Sequence, residues 1–323
     1  MTSLASTVPA TSTRVARWRA SFVDAEPALA DLFERLHQSD DLPLHVNRQP
    51  DVKPDELPAV LNGAPIAIID HTSMPTAVAA RCPGLKHIVF LGTGARSYMD
   101  PEALAALGIA VHTIKGYGDT AVAECAFALM WAAARGLARM DRELRQGRWP
   151  RTEGMQLGGK TLGLIGFGGI AQELARLALG AGMRVVAWNR SPREHAGVEF
   201  VGIDALLATS HVVSLHLLLT DETRGFLSRA RIAAMRDGAV LINTARGALL
   251  DEPALIDALA SGKLAHAGLD VFTVEPLPAQ HPFTTLPNVT LSAHSAFRTP
   301  EASMNLVEAA LAHCRRIAAD RVG

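Results

Sequence analysis

Gly163-Leu-Ile-Gly-Phe-Gly-Gly-Ile-Ala171 decides the reading of this chain. The run Thr161–Phe167 is apolar and reads as a buried strand, and Ile170–Leu179 reads as a helix with Leu174, Leu177 and Leu179 largely on one side. Between them lies the pattern Gly166-x-Gly168-x-x-Ala171. Gly166 permits a tight turn, Gly168 lets backbone approach a phosphate, and Ala171 is small enough for the helix to pack on the sheet. Gly169 and Ile170 open that helix, where free N–H groups and the helix dipole hold an anion. Strand, glycine turn and helix together predict a site for the pyrophosphate of a dinucleotide.

The bulk numbers bound the rest. A chain of 323 residues suggests about two domains, and 49% hydrophobic with 20% charged residues describes an ordinary globular protein. A net charge of −1 supplies no basic field, so nucleic acid is not an expected partner. Cys82, Cys125 and Cys314 are scattered without a CxxC pair, which argues for a reducing compartment and against a disulfide framework or a metal site. The longest uncharged apolar candidate, Cys125–Ala134, is too short to span a membrane. Met1–Thr13 is rich in Ser, Thr and Ala and has no apolar core, so it reads as a loose terminus, not a secretory signal. Arg14, Arg17 and Arg19 with no acid before Asp24 give a fainter hint of a transit peptide. A cytoplasmic location is the expectation.

Strand and helix signals alternate almost throughout, the pattern of an α/β protein with largely parallel sheets. Pro65–Asp70, His87–Leu91 and Ala110–Ile114 read as strands, with a helix at Pro101–Leu107. Thr120–Arg145 reads as one long helix whose length suits a bridge between two lobes. After the broken pattern of Gln146–Gly154, a second series follows: Val185–Trp188, Val212–His216, Val240–Asn243, Ala267–Val271 and Val289–Ser292, closed by a helix at Glu301–Ala319.

The glycine pattern, Asn243-Thr-Ala-Arg-Gly247, Ala267-Gly-Leu-Asp-Val-Phe272, Val274-Glu-Pro276 and Ser292-Ala-His294 stand in an order and spacing that closely resembles the D-isomer-specific 2-hydroxyacid dehydrogenase family, over roughly Pro65–Leu306. That family includes phosphoglycerate dehydrogenases and glyoxylate/hydroxypyruvate reductases. The resemblance implies two Rossmann-like, doubly wound α/β lobes, the nucleotide-binding lobe inserted into the substrate-binding lobe. It implies a substrate lobe at 1–117 completed by 299–323, an NAD(P)-binding lobe at 118–298, and a homodimer formed through the nucleotide lobes.

Hydride exchange between a nicotinamide and a 2-keto or 2-hydroxy acid needs a cation for the carboxylate, a proton donor for the oxygen, and a partner that keeps the donor charged. Arg246 follows an apolar strand, at the sheet edge where ligands bind, and its planar guanidinium can grip a carboxylate with two hydrogen bonds. His294 ends another strand and can exchange a proton near neutral pH. The resemblance implies that Glu275, nineteen residues earlier, contacts the imidazole, where a carboxylate favours the charged ring. It also implies that Asp270 bonds the nicotinamide carboxamide, a turn-capping role being the alternative, and that Thr220, Thr244 and Ala245 contact the cofactor. On the substrate side, Leu91-Gly92-Thr93-Gly94 offers backbone N–H groups to a carboxylate, and His71 in His71-Thr-Ser-Met74 ends another strand and is expected to line the same cleft.

The end of the second nucleotide-lobe strand bears on which nicotinamide is used. An acid there would meet the ribose hydroxyls of NAD, but this chain has Asn189, followed by Arg190, Ser191, Pro192 and Arg193. Loss of the carboxylate and gain of cations suits a 2′-phosphate, so NADP is the expected preference, with NAD possible. The chain departs from the family at Ala293, which replaces Pro before the histidine, at Ser295-Ala-Phe297-Arg298, and at Leu218 in place of a loop Pro. Phe297 would narrow a substrate pocket, and Arg298 would meet a second anionic group, a partner subunit or solvent. The leading expectation is a reductase of glyoxylate or hydroxypyruvate type. A phosphoglycerate dehydrogenase-like enzyme, which needs a further cation for its phosphate, and a nicotinamide-sensing corepressor-like protein are the alternatives.

Overall fold

The computed structural model describes residues 18–191 and 193–320. The readings of Met1–Thr13, Arg14, Arg17 and Pro192 fall outside the described residues. The chain divides into two compact units, one running to Tyr117 and resumed from Pro300, the other spanning Gly118–Thr299.

The first unit holds a five-stranded sheet of β1 (Ala20–Phe22), β2 (Leu44–Val46), β3 (Ile66–Ile69), β4 (His87–Phe90) and β5 (Ala110–Thr113), in the order β2-β1-β3-β4-β5 and parallel throughout. β3 and β4 are buried at every position, as strands covered on both faces must be. One face packs against the helix Pro300–Ala319 through Leu306, Val307, Ala310, Leu311 and Ile317. The other is covered around Leu57, Met74, Leu104 and Ile109. The helix Pro101–Ala106 starts where it does because Pro101 fits its first position and the Asp100 carboxylate accepts the N–H groups of Glu102 and Ala103 at 3.1 and 3.0 Å.

The second unit holds a seven-stranded parallel sheet: β6 (Thr161–Ile165), β7 (Arg184–Trp188), β8 (Val198–Phe200), β9 (Val212–Leu215), β10 (Ala239–Asn243), β11 (Leu264–Leu269) and β12 (Val289–Leu291). Its order is β12-β11-β10-β9-β6-β7-β8, so the winding reverses between β6 and β9, the switch point at which such sheets bind ligands. The helix Gly169–Gly180 buries Ala171, Leu174, Ala175 and Ala178, an i, i+3, i+4, i+7 stripe. Leu177 and Leu179, expected on that stripe, flank it and are partly buried.

The long helix expected over Thr120–Arg145 is two helices, Asp119–Arg135 and Leu137–Arg145, bent by 64°. Gly136 causes the break by adopting φ 62°, a left-handed conformation that ends a helix and that glycine enters without strain. Both helices belong to the second unit. Sequence pattern also passed over β1, β2 and β8, each three residues long. No single helix among the described residues is long and apolar enough to cross a membrane.

A buried acid ties the first unit together. Asp24, just beyond β1 and 0% exposed, accepts the N–H groups of Asp70, His71 and Thr72 at 2.9, 2.8 and 2.6 Å. Asp24→Ala leaves those donors unmatched. We expect a loss of about 3 kcal/mol or more in the first unit's stability, read from its urea unfolding midpoint.

Candidate active site

The glycine turn follows β6 at the switch point. Gly166 has φ 89°, and a β-carbon there would stand 2.6 Å from the carbonyl oxygen of His216, which follows β9. Geometry and crowding both restrict the position to glycine. At exposed Gly168 a β-carbon would meet nothing within 4 Å, so the backbone at the helix start faces open space. A pyrophosphate needs that combination of a tight turn and an uncovered helix N-terminus, and the residues fit a nicotinamide dinucleotide. Asn189, at the end of β7, turns its side chain inward: Oδ1 accepts the Phe167 N–H at 3.3 Å, and Nδ2 donates to the Ser191 carbonyl at 2.9 Å. Arg190, Ser191 and Arg193 remain exposed, and Arg190 reaches Glu222 at 3.3 Å. Thr220 lies in an exposed turn, its N–H donating to Thr223 Oγ1 at 2.8 Å.

Three neighbouring strands, β10, β11 and β12, deliver the reactive candidates to the same sheet edge. Asn243, the last residue of β10, holds the following turn by accepting the Ala245 N–H at 3.0 Å and donating to the Arg246 carbonyl at 2.9 Å. Arg246 is half-buried, with Nη1 2.6 Å from the Ala245 carbonyl. Gly247 passes so close to Phe272 that a β-carbon would overlap that residue's carbonyl carbon. Thr244 Oγ1 is buried with no hydrogen-bond partner among the described residues.

Glu275 Oε2 lies 2.6 Å from His294 Nδ1, and Oε1 accepts the Phe272 N–H at 2.8 Å. Burial works against the charge on Glu275. The hydrogen bonds from His294 and Phe272, with the charges of His294 and Arg246, outweigh burial and hold the carboxyl below its ordinary range. Both side chains keep about a third of their surface exposed, 33% for His294 and 34% for Glu275, so the ring can still meet a ligand. Phe297 stands edge-on to the His294 ring, centroids 6.3 Å apart, and the Arg298 guanidinium lies 6.0 Å from the Phe297 centroid. Asp270 is 0% exposed, and both of its carboxylate oxygens face the Ser292–Ala296 loop.

In the first unit, two sequence expectations need revision. Leu91 and Gly92 already donate their N–H groups to the carbonyls of Ile69 and Phe90, both at 2.8 Å, and the Leu91 side chain is in the core. Thr93 and Gly94 follow them in the same loop. His71 has both ring nitrogens engaged: Nε2 with the Pro50 carbonyl at 2.7 Å and Nδ1 with the Asp70 carboxylate at 3.3 Å. A carbonyl and a carboxylate only accept, so the ring donates twice and is charged. It braces the loop after β3 and has no N–H left to offer a substrate.

A family model described as "D-isomer specific 2-hydroxyacid dehydrogenase, NAD binding domain" matches residues 127–296. The chain belongs to this family. A hydroxypyruvate reductase of Thermotoga maritima is 39% identical over 254 residues, covering 77% of this chain and 83% of that one. A glyoxylate reductase of Aeropyrum pernix is 36% identical over 240 residues, covering 70% and 71%. Among solved structures, an acyclic imino acid reductase in complex with NADPH and D-Arg superposes with a TM-score of 0.80 at 29% identity, covering 90% of this chain and 94% of that one. The protein is therefore a nicotinamide-dependent D-2-hydroxyacid dehydrogenase.

Sequence reasoning missed several residues that shape this dehydrogenase. Asp24 acts on partners far along the chain and no local pattern marks it; the Ser292-Ala-His294 motif named Ser292 but not its bond to Asp270. Asp119 packs its carboxylate against Gly169 at the start of the glycine-turn helix; burial, then the charge of Glu173, raises its pKa. The only signal for Asp119 was its place at the start of a helix.

The His71 brace makes a pH prediction. The hydrogen bond to Asp70, opposed by burial and aided by the Asp24 charge, lifts His71 to about 9 from 6.5. A raised histidine stabilises the fold fully below the unfolded value and stops doing so as pH climbs through the folded one. The first unit should therefore lose stability between about pH 6.5 and 9. His71→Gln should flatten that slope in unfolding midpoints measured across the range.

Proposed function

We propose that this dehydrogenase reduces small, unphosphorylated 2-keto acids of the glyoxylate or hydroxypyruvate kind, and prefers NADPH to NADH. The observation that carries the chemistry is the His294–Glu275 contact of 2.6 Å beside the Arg246 charge. The nicotinamide, when bound, supplies the hydride to the keto carbon and takes it back in the reverse direction. Arg246 holds the substrate carboxylate by a forked contact and polarises the carbonyl. His294 gives its Nε2 proton to the oxygen as negative charge develops there, and recovers it in oxidation. Glu275 accepts from Nδ1 and so orients the ring, an acid–base arrangement worth about 10²–10⁴ in rate.

The names of the two relatives support the substrate class. Local charge supports the absence of a phosphate: the His71 cation is already matched by Asp70 and Asp24, so it attracts no second anion. Turnover of a panel of 2-keto acids tests the assignment. Glyoxylate or hydroxypyruvate should exceed 3-phosphohydroxypyruvate in kcat/KM by at least about tenfold, an energy of about 1.4 kcal/mol. A faster phosphorylated substrate would overturn it.

Exposed Arg190, Ser191 and Arg193 support the cofactor preference, because Asn189 brings no carboxylate against a 2′-phosphate. Arg190→Ala should raise the KM for NADPH several-fold more than that for NADH, and equal effects would remove the preference. A homodimer working in the cytoplasm completes the proposal. It is supported by Leu137, Leu144 and Trp149 of the second unit, which are 51%, 49% and 78% exposed and would be covered by a second copy.

A further inference from the structure

We propose that Asp270 is a positioning residue for the proton donor: it holds the Ser292–Ala296 loop in the shape that turns His294 onto Glu275. The inference rests on the reading of His294 as that donor. One Asp270 oxygen, Oδ1, accepts the Ser292 hydroxyl at 2.5 Å and the Ser295 N–H at 3.0 Å. The other, Oδ2, accepts the Ala296 N–H at 3.0 Å, and the Asp270 backbone carbonyl accepts the His294 N–H at 2.7 Å. One residue thus bonds the loop before, at and after the histidine.

The loop needs such a hold because His294 has φ 50°, the left-handed region that a β-carbon disfavours. A free loop would relax to an extended backbone and swing the ring away from Glu275. Asp270 is itself fixed, since its N–H donates to the Asn243 carbonyl at 3.0 Å at the end of β10. The Ser292 N–H in turn donates to the Leu269 carbonyl at 2.9 Å. The ends of β10, β11 and β12 therefore form one hydrogen-bonded ledge, and Asp270 is the member that reaches across the histidine. The carboxylate is 0% exposed and both of its oxygens accept hydrogen bonds from the loop.

Asp270→Asn keeps the shape but places an amide donor where an acceptor stood. In the full-length protein we expect a fall in kcat of about 10²-fold with KM for the keto acid changed less than a few-fold, the scale of a catalytic group misplaced by about 1 Å. Amide hydrogen exchange in a peptide covering residues 292–298 should accelerate in the cofactor-free protein, and the Kd for NADPH from fluorescence titration should stay within about twofold. Ser292→Ala, which keeps the carboxylate and is the milder change for folding, should move kcat and exchange in the same direction by less. Weakened NADPH binding with unchanged loop exchange would overturn the proposal and return Asp270 to the cofactor. Unchanged kcat in both variants would overturn it too. His294→Ala separates the two readings: full turnover in that variant would remove the proton-donor assignment, whereas faster loop exchange in Asp270→Asn would still establish what holds the loop.

Discussion

At the end of β6 the chain must turn within van der Waals reach of the backbone that follows β9, and the rest of the second unit depends on that crowding. The 2.6 Å between a hypothetical Gly166 β-carbon and the His216 oxygen leaves room for glycine alone. Glycine then supplies the left-handed φ that swings the chain into the helix Gly169–Gly180, with the helix N-terminus uncovered at Gly168. In a parallel sheet every strand ends at the same edge. The turn that makes a phosphate site therefore lies on the edge to which β10, β11 and β12 bring Arg246, Asp270 and His294. Cofactor turn and acid–base residues share an edge because of strand direction, with no further device needed.

Partner chemistry divides the histidines. His216 faces the Ser214 hydroxyl at 2.9 Å and His266 the Thr290 hydroxyl at 2.9 Å; burial pushes each down to about 4, so both are neutral framework groups. His71 faces a carboxylate and a carbonyl and is driven up to about 9, a fixed cation that braces a loop. His294 pairs Nδ1 with Glu275 and, among the described residues, makes no hydrogen bond through Nε2, whereas His71 has both nitrogens engaged, so His294 has a ring nitrogen open to a ligand. The same side chain thus serves as spacer, brace or proton carrier according to its hydrogen-bond partners.

Those partners explain which parts of the molecule were legible in the sequence. Runs such as Ile66–Ile69 announce themselves, because a strand buried on both faces is apolar almost throughout. Ala20–Phe22 and Val198–Phe200 are too short to show a period, and β8 lies at a sheet edge. Gly136 was in plain view, but a glycine inside an alanine-rich run reads as tolerated until its backbone is seen to turn left-handed. At the site, Arg246, Glu275 and His294 could be named because each belongs to a compact motif. Asp24 could not, since its partners are backbone N–H groups 46 to 48 residues away. For Asp270 the motif located the residue, while the direction of its carboxylate depended on a loop 22 to 26 residues further on.

The left-handed backbone at His294 states the underlying conflict. Glycine or asparagine would sit there with less strain, but neither carries an imidazole. A non-glycine residue in this region holds about 1 kcal/mol or more of strain and persists where its surroundings over-determine it. Here the surroundings are four hydrogen bonds that the loop donates to Asp270 and one that His294 donates to Glu275. In that conformation Nδ1 lies 2.6 Å from Glu275 Oε2, while Phe297 stands edge-on to the ring at 6.3 Å. A relaxed loop would be the more comfortable polypeptide and would hold a histidine with no acid beside it. The buried carboxylate beneath the loop is what makes the less comfortable conformation the stable one.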